Sequence, residues 1–349
     1  MVEPVRPDVS DRALIREAGM KKGILERLRE GVVLGDGGYV LELEKRGYVL
    51  AGPFTPEATV EHPDAVRELH REFVDAGAEV IQALAFYGDR QKLATVGYGN
   101  RVGDINRAAV RLAGEAAGER ALVAGNLSMT WQFEPESPTA TERVGVLLDE
   151  QLGHQLEVGI DFVIAETYLY LGEALIAVDR ARRSGLPVMV TMTFEDKSVT
   201  RDGRSPAECA KALFGAGADI VGTNCWRGPR HMLPIVEEMR KATEGYIAVQ
   251  APAYRTTDAT PFFTGLKGFP DAMEPYQLTR YEMADYAREA KAIGANYIGA
   301  CCGAVATHIR EMARVLGKST GEPSRWRPDP AKPMSATEFY RERRAHSRD

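Results

Sequence analysis

Short runs of β-branched and apolar residues recur along the chain, each followed by a stretch whose apolar positions return every three or four residues. The runs fall at 32–36, 80–85, 121–126, 162–166, 188–193, 220–225, 247–251 and 297–302. Continuous apolar runs of this kind suit strands buried on both faces, as in an all-parallel sheet. The intervening periodicity predicts helices over 64–76, 101–117, 141–158, 172–183, 206–215, 230–243, 280–293 and 306–316. Val66, Leu69 and Phe73 share one helical face, as do Met283, Tyr286 and Ala290. Gly77, Gly159, Gly185, Gly217 and Gly294 stand where those helices should end on a left-handed residue. Strand and helix alternating in this way predict an α/β chain folded as a (β/α)8 TIM barrel. A doubly wound open sheet is the rival topology.

Two connections are too long for simple turns: 37–63 after the first strand and 252–279 after the seventh. Both leave strand C-terminal ends, where barrel enzymes build their sites, although either alone also fits a surface decoration. Residues 1–322 read as one catalytic domain with an N-terminal segment. Residues 323–349 read as a C-terminal arm, rich in Pro and charge, with a short helical pattern near 336–344.

In a barrel the strand ends converge. They carry Asp36, Phe86, Tyr87, Asn126, Glu166, Thr193, Cys225, Gln250, Cys301 and Cys302. Zinc favours tetrahedral thiolate ligands and keeps one position open when it is catalytic. Cys225, Cys301 and Cys302 therefore form a candidate metal cage, suited to activating an incoming thiol. The competing reading is three packed cysteines, and adjacent strand cysteines face opposite ways unless the strand end kinks. Cys209 sits within a predicted helix as a small packing residue.

Asp36 opens a Gly-Asp-Gly-Gly turn. Its carboxylate suits an ammonium group, and Gly37 and Gly38 let backbone amides approach a carboxylate; an ordinary Asp-Gly turn explains the same residues. Glu166 ends an apolar strand, so a ligand ammonium or a barrel lysine or arginine is expected to face it. Tyr39, Phe54, Phe86, Tyr87, Tyr168 and Trp226 lie at the same level and suit a quaternary ammonium or sulfonium through cation–π attraction, or simply a core. His154 and His308 fall on helices and read as surface or packing residues.

Composition narrows the partners. The 349 residues carry a net charge of −6 and show no basic stripe, which argues against nucleic acid. No apolar run approaches the roughly 18 residues that span a bilayer, and the N-terminus lacks a signal-peptide core. A cytoplasmic protein is expected, in which four cysteines point to a metal or catalysis rather than a disulfide framework. No glycine pattern qualifies as a nucleotide fingerprint.

The chain resembles the betaine–homocysteine S-methyltransferases of the wider homocysteine methyltransferase family. The likeness is densest at 22–28 (KGILERL), 35–38 (GDGG), 43–48 (LEKRGY), 52–58, 86–87 (FY), 164–166 (IAE), 222–225 (GTNC) and 299–303 (GACCG). It implies zinc on Cys225, Cys301 and Cys302, with Asp36 and Glu166 holding the homocysteine amino group. Backbone around Gly37 and Gly38 would meet the carboxylate of homocysteine. Phe86 and Tyr87 would help to form the donor pocket, with the Tyr87 hydroxyl aimed at a donor carboxylate.

Two positions depart from the family pattern. Phe54 stands where betaine enzymes look to have tryptophan, losing an N–H that meets the betaine carboxylate. Thr167 stands where they have a tyrosine able to take zinc's fourth position. The expected donor is glycine betaine, with dimethylsulfoniopropionate, S-methylmethionine or another betaine as alternatives. A non-catalytic metal-binding barrel is the reading from another class. The animal enzymes continue beyond the arm at 331–333 and use that extension in tetramer assembly, so a homo-oligomer of another kind is expected.

Overall fold

Buried apolar runs do become strands: β1 (Val33–Leu34), β2 (Val80–Gln82), β3 (Leu122–Ser128), β4 (Phe162–Tyr168), β5 (Val188–Met192), β6 (Ile220–Asn224), β7 (Tyr246–Ala251) and β8 (Tyr297–Ala300). The structure, a computed structural model, describes residues 21–320. All neighbouring strands pair in parallel, in the order β1-β8-β7-β6-β5-β4-β3-β2. The seam between β1 and β2 closes through Glu79, whose N–H donates to Leu34 O at 2.8 Å and whose carboxylate accepts the Leu34 N–H at 3.0 Å. The architecture is the (β/α)8 TIM barrel.

The longer helices lie close to the periodic stretches: Pro63–Ala76, Val102–Ala117, Ala140–Leu156, Leu171–Arg182, Pro206–Gly215, Pro229–Ala242, Arg280–Ile293 and Ala306–Leu316. Gly77 and Gly294 end two of them at φ 106° and 97°, a region that side chains with a Cβ rarely adopt. The barrel interior is a separate apolar cluster. Val33, Val80, Leu122, Ala124, Phe162, Ile164, Met189, Ile220, Ala248 and Tyr297 meet there, and the helix Ile24–Glu30 plugs the strand starts with Ile24 and Leu28. Burying each plug side chain contributes about 1.5–3 kcal/mol.

Several boundaries differ from the sequence expectation. β3 and β4 run two residues past 126 and 166, whereas β2 stops at Gln82 and β8 at Ala300. The long connections are partly ordered by short helices, Val40–Lys45 and Ala58–Glu61 after β1, and by single turns Phe263–Gly265 and Glu274–Tyr276 after β7. Among the described residues no helix is long and apolar enough to cross a membrane. The expected arm at 323–349 and its boundary lie outside the described residues.

Candidate active site

Strand alternation delivers polar side chains to the barrel mouth just above the apolar interior. Phe162 and Ile164 of β4 point inward, so Glu166 does too. Its Oε1 accepts from Gln82 Nε2 and Asn126 Nδ2, both at 2.6 Å, and its Oε2 accepts from Asn224 Nδ2 at 2.7 Å. Among the described residues no lysine or arginine forms an ion pair with Glu166, so of the two expected partners the ligand ammonium is the one left open. Neutral amides satisfy the oxygens without cancelling the charge, and burial pushes this carboxyl up to about 7.

Asp36 follows β1 and is buried just behind the wall formed by Gly37, Gly38 and Tyr39. Its Oδ2 accepts from Gln82 N at 2.8 Å and from the Tyr39 hydroxyl. Burial pushes Asp36 up to about 7 as well, and the nearby Glu166 charge adds to the effect. His70 Nδ1 lies 3.1 Å from Tyr39 Oη, and burial lowers His70 to about 3, so this imidazole is neutral.

The glycines of the turn answer to close packing. A Cβ on Gly37 would meet the Phe73 ring at 2.6 Å, and one on Gly38 would meet Cys301 O at 2.7 Å. Gly38 N–H is already given to Ala304 O at 3.1 Å.

The three strand-end cysteines converge. Cys225 Sγ lies 3.9 Å from Cys302 Sγ, Cys302 Sγ lies 4.0 Å from Cys301 Sγ, and all three fall within 4.8 Å of one another. A tetrahedral ion with Zn–S bonds of about 2.3 Å sets its sulfurs about 3.8 Å apart, so this donor set fits zinc. None is disulfide-bonded.

Alternation does not forbid the Cys301–Cys302 pair, because β8 ends at Ala300 and the pair lies in the turn before Gly303, φ 78°. A Cβ on Gly303 would run into the Tyr254 ring. Neighbouring thiols and burial hold all three cysteines well above the ordinary thiol range, so a cation is what would let them ionise together. Cys209 is buried elsewhere, in the helix Pro206–Gly215.

A cavity of about 210 Å³ opens over the thiols and Glu166. Tyr39, Phe54, Phe86, Tyr87 and Trp226 line it, together with Gly37, Gly38, Asn126, Thr167 and Gln250. Tyr168 does not, contrary to expectation. A register shift in β4 between Ala165 and Tyr168 turns Tyr168 outward into the helix-facing core. The same bulge puts Thr167 at the cavity with φ 65°. Asn224 fixes it there, donating to Thr167 Oγ1 at 2.8 Å and accepting from Thr167 N at 3.0 Å.

Thr193 also misses the cavity wall, with its hydroxyl donating to Asn224 O at 2.8 Å. His154 and His308 bond Arg107 and Leu278 O, away from the cavity.

The sequence reading passed over Gln82, Met129, Trp131, Phe263 and Thr264, all of which line the cavity, and gave Asn224 no role. A glutamine inside the apolar run 80–85 was the available signal for Gln82. Trp131 gave none, because β3 was expected to stop at 126 and its extension is what brings the next loop to the mouth.

This fold and site define a class: a barrel enzyme with a three-thiol, metal-competent centre beside buried carboxyls and an aromatic wall. The pattern of the family described as homocysteine S-methyltransferase matches residues 33–316. The chain is 42% identical over 316 residues to betaine–homocysteine S-methyltransferase 1 of Rattus norvegicus, covering 86% of this chain and 76% of that one. It is 40% identical over 311 residues to an S-methylmethionine–homocysteine S-methyltransferase of Pongo abelii, covering 87% and 84%. The metallated form of the homocysteine methyltransferase MmuM from Escherichia coli shares the fold, with TM-score 0.67, 19% identity, and coverage of 87% of this chain and 98% of that one. The chain belongs to the homocysteine S-methyltransferase family and is a methyltransferase.

Proposed function

We propose that this chain moves a methyl group from a small onium donor, glycine betaine in the first instance, to the thiol of homocysteine, with zinc held by Cys225, Cys301 and Cys302. One observation carries the reading: three thiols at metal-ligand spacing open onto the same cavity as a buried carboxylate and an aromatic wall. Bound there, zinc supplies the positive charge that lets the acceptor thiol lose its proton at neutral pH while staying nucleophilic.

The chain's own residues do the rest. Glu166, with Asp36 behind it, provides the negative field that holds the acceptor ammonium. Gln82, Asn126 and Asn224 keep Glu166 in one orientation. Phe54, Phe86, Tyr87 and Trp226 surround the donor cation and exclude water. Reaction requires the donor methyl in line with the sulfur at about 3–3.5 Å. A sulfur–carbon bond forms as the donor's nitrogen–carbon or sulfur–carbon bond breaks, and the leaving amine or thioether keeps the electron pair. It departs neutral, so no general acid is needed.

The test is product analysis with zinc-loaded protein, homocysteine and a panel of glycine betaine, dimethylsulfoniopropionate and S-methylmethionine. Methionine from at least one donor, lost on chelation and regained with zinc, supports the reading. Full activity after the metal is stripped, or metal binding with no methyl transfer from any donor, overturns it. The second outcome favours the non-catalytic barrel.

A further inference from the structure

Trp131 follows β3 in a segment held rigidly in place. Thr130, its neighbour, gives both its N–H and its hydroxyl to the buried Glu173, at 2.8 and 2.7 Å. Trp131 and Tyr87 both adopt left-handed backbone, φ 61° and 55°. Trp131 Nε1–H donates to Tyr87 Oη at 2.8 Å. A phenol has one proton, and an oxygen that accepts from an indole keeps that proton for another acceptor. Among the described residues no side chain or carbonyl takes it.

Charges of both signs surround this pair, with Asp89 and Glu173 near Tyr87 and two cations flanking the rings. Lys92 Nζ lies 4.2 Å from the Tyr87 ring centroid, and Arg201 Cζ lies 5.4 Å from that of Trp131, while its Nε is bonded to Glu195. Phe54, by contrast, offers the cavity only a ring, stacked 6.1 Å from Phe269. The cavity thus has a carboxylate end at Glu166 and, at its Tyr87–Trp131 end, a phenolic O–H without an acceptor among the described residues.

We infer that Trp131 is a positioning residue for donor specificity: by occupying the Tyr87 oxygen, it makes the Tyr87 proton an obligate donor to the carboxylate of a zwitterionic onium substrate. The inference rests on the methyl-transfer reading and adds Trp131 to the residues that set donor specificity within it. The indole–phenol–carboxylate chain is cooperative, each hydrogen bond polarising the next.

The experiment compares glycine betaine with choline, which carries the same trimethylammonium on an alcohol. Each is titrated calorimetrically into zinc-loaded protein without homocysteine, so that no methyl transfer contributes heat, alongside steady-state kinetics with homocysteine present. Trp131→Phe keeps the ring and loses only the N–H. It should weaken betaine binding and raise betaine KM about tenfold, with choline affinity, homocysteine KM and zinc content unchanged. Tyr87→Phe should remove the betaine preference, and adding Trp131→Phe to it should cost nothing further, because the indole acts through that hydroxyl.

Equal loss for betaine and choline, no loss for either, or additive effects in the double variant overturn the inference. If homocysteine is methylated and betaine preference survives Trp131→Phe, the inference fails and the functional reading stands. If betaine binds with the predicted sensitivity and no methyl is transferred, the functional reading fails and the anion-binding pair stands.

Discussion

Binding of methionine, the expected product, should weaken when the solution is acidified from about pH 8 to about pH 6, by a factor that two buried carboxyls set. Asp36 and Glu166 each titrate at about 7 in the free protein, chiefly because burial disfavours their charge. An amino-acid ammonium draws on the ionised forms. One unit above that value ~90% of each carboxyl is ionised, and one unit below it ~10%. Apparent affinity scales with the competent fraction, so one carboxyl weakens binding ~10-fold across the interval and the pair ~100-fold, ~1.4 and ~2.7 kcal/mol.

His70 is silent in this range, because burial has already lowered it to about 3. Methionine is the right probe, since its thioether has no proton to lose at the metal. Calorimetry in buffers of different ionisation enthalpy counts the protons released, about one near neutrality for two half-protonated carboxyls. Asp36→Asn keeps the oxygen that Gln82 N–H and the Tyr39 hydroxyl use, and should reduce the change to ~10-fold. A methionine Kd constant within about twofold, with no proton release, refutes these carboxyls as partners of the ammonium.

The same carboxyls set the stability of the metal-free protein. Their folded values lie above 3.8 and 4.5, so their contribution is present in acid and is lost as pH rises through about 7. His70, depressed below 6.5, opposes this by losing stability in acid. The balance makes unfolding ~2 kcal/mol easier at about pH 8 than at about pH 6, and equal urea midpoints would reject it. Cys302→Ala should leave circular dichroism unchanged while zinc falls from about one to under 0.1 per chain, measured by elemental analysis; full zinc retention counts against the cage. Gly38→Ala pushes a methyl 2.7 Å from Cys301 O and 3.0 Å from Cys302 Cα, so zinc affinity should fall more than 10-fold in a chelator competition. Asn224→Ala strips a donor from Glu166 and both bonds from Thr167, which should cost about 2–4 kcal/mol in chemical denaturation, and a loss under about 0.5 contradicts the network.

The barrel was legible because its signal is local: apolar runs and helical periodicity are set within a few residues, and helix bounds such as 280–293 agree to the residue. The thiol trio was legible because strand ends converge in any such barrel, so residue type at a strand end already implies position. What failed were features that depend on register across strands. Tyr168 follows Glu166 by two and should face inward, and only the bulge against β5 turns it away. The partners of Glu166 come from β2, β3 and β6, whose relative heights a sequence does not state. For that reason the three amides were not foreseen, while the choice between a ligand ammonium and a barrel cation was narrowed only by the absence of the latter among the described residues.

The site's backbone explains why such features escape local rules. Phe54, Tyr87, Trp131, Thr167, Cys225 and Trp226 all line the cavity and all have φ between 55° and 65°. Non-glycine residues in that region cost about 1–3 kcal/mol each, so glycine would be the locally preferred choice at every one of these positions. Glycine would also delete a ring wall, a hydroxyl or a thiol. The strain persists because neighbours over-determine each residue: Asn224 pins Thr167, Ser128 Oγ lies 3.1 Å from Tyr87 N, and Cys225 N–H bonds Gln250 O at 3.0 Å. A side chain on left-handed backbone at a strand end is swung off the strand's two faces and over the barrel axis, where reacting groups must meet. The barrel's packed interior supplies the stability that this arrangement consumes, and its concentration in six cavity-lining residues is what the proposed placement of the chemistry at the mouth, rather than in the outer grooves, rests on.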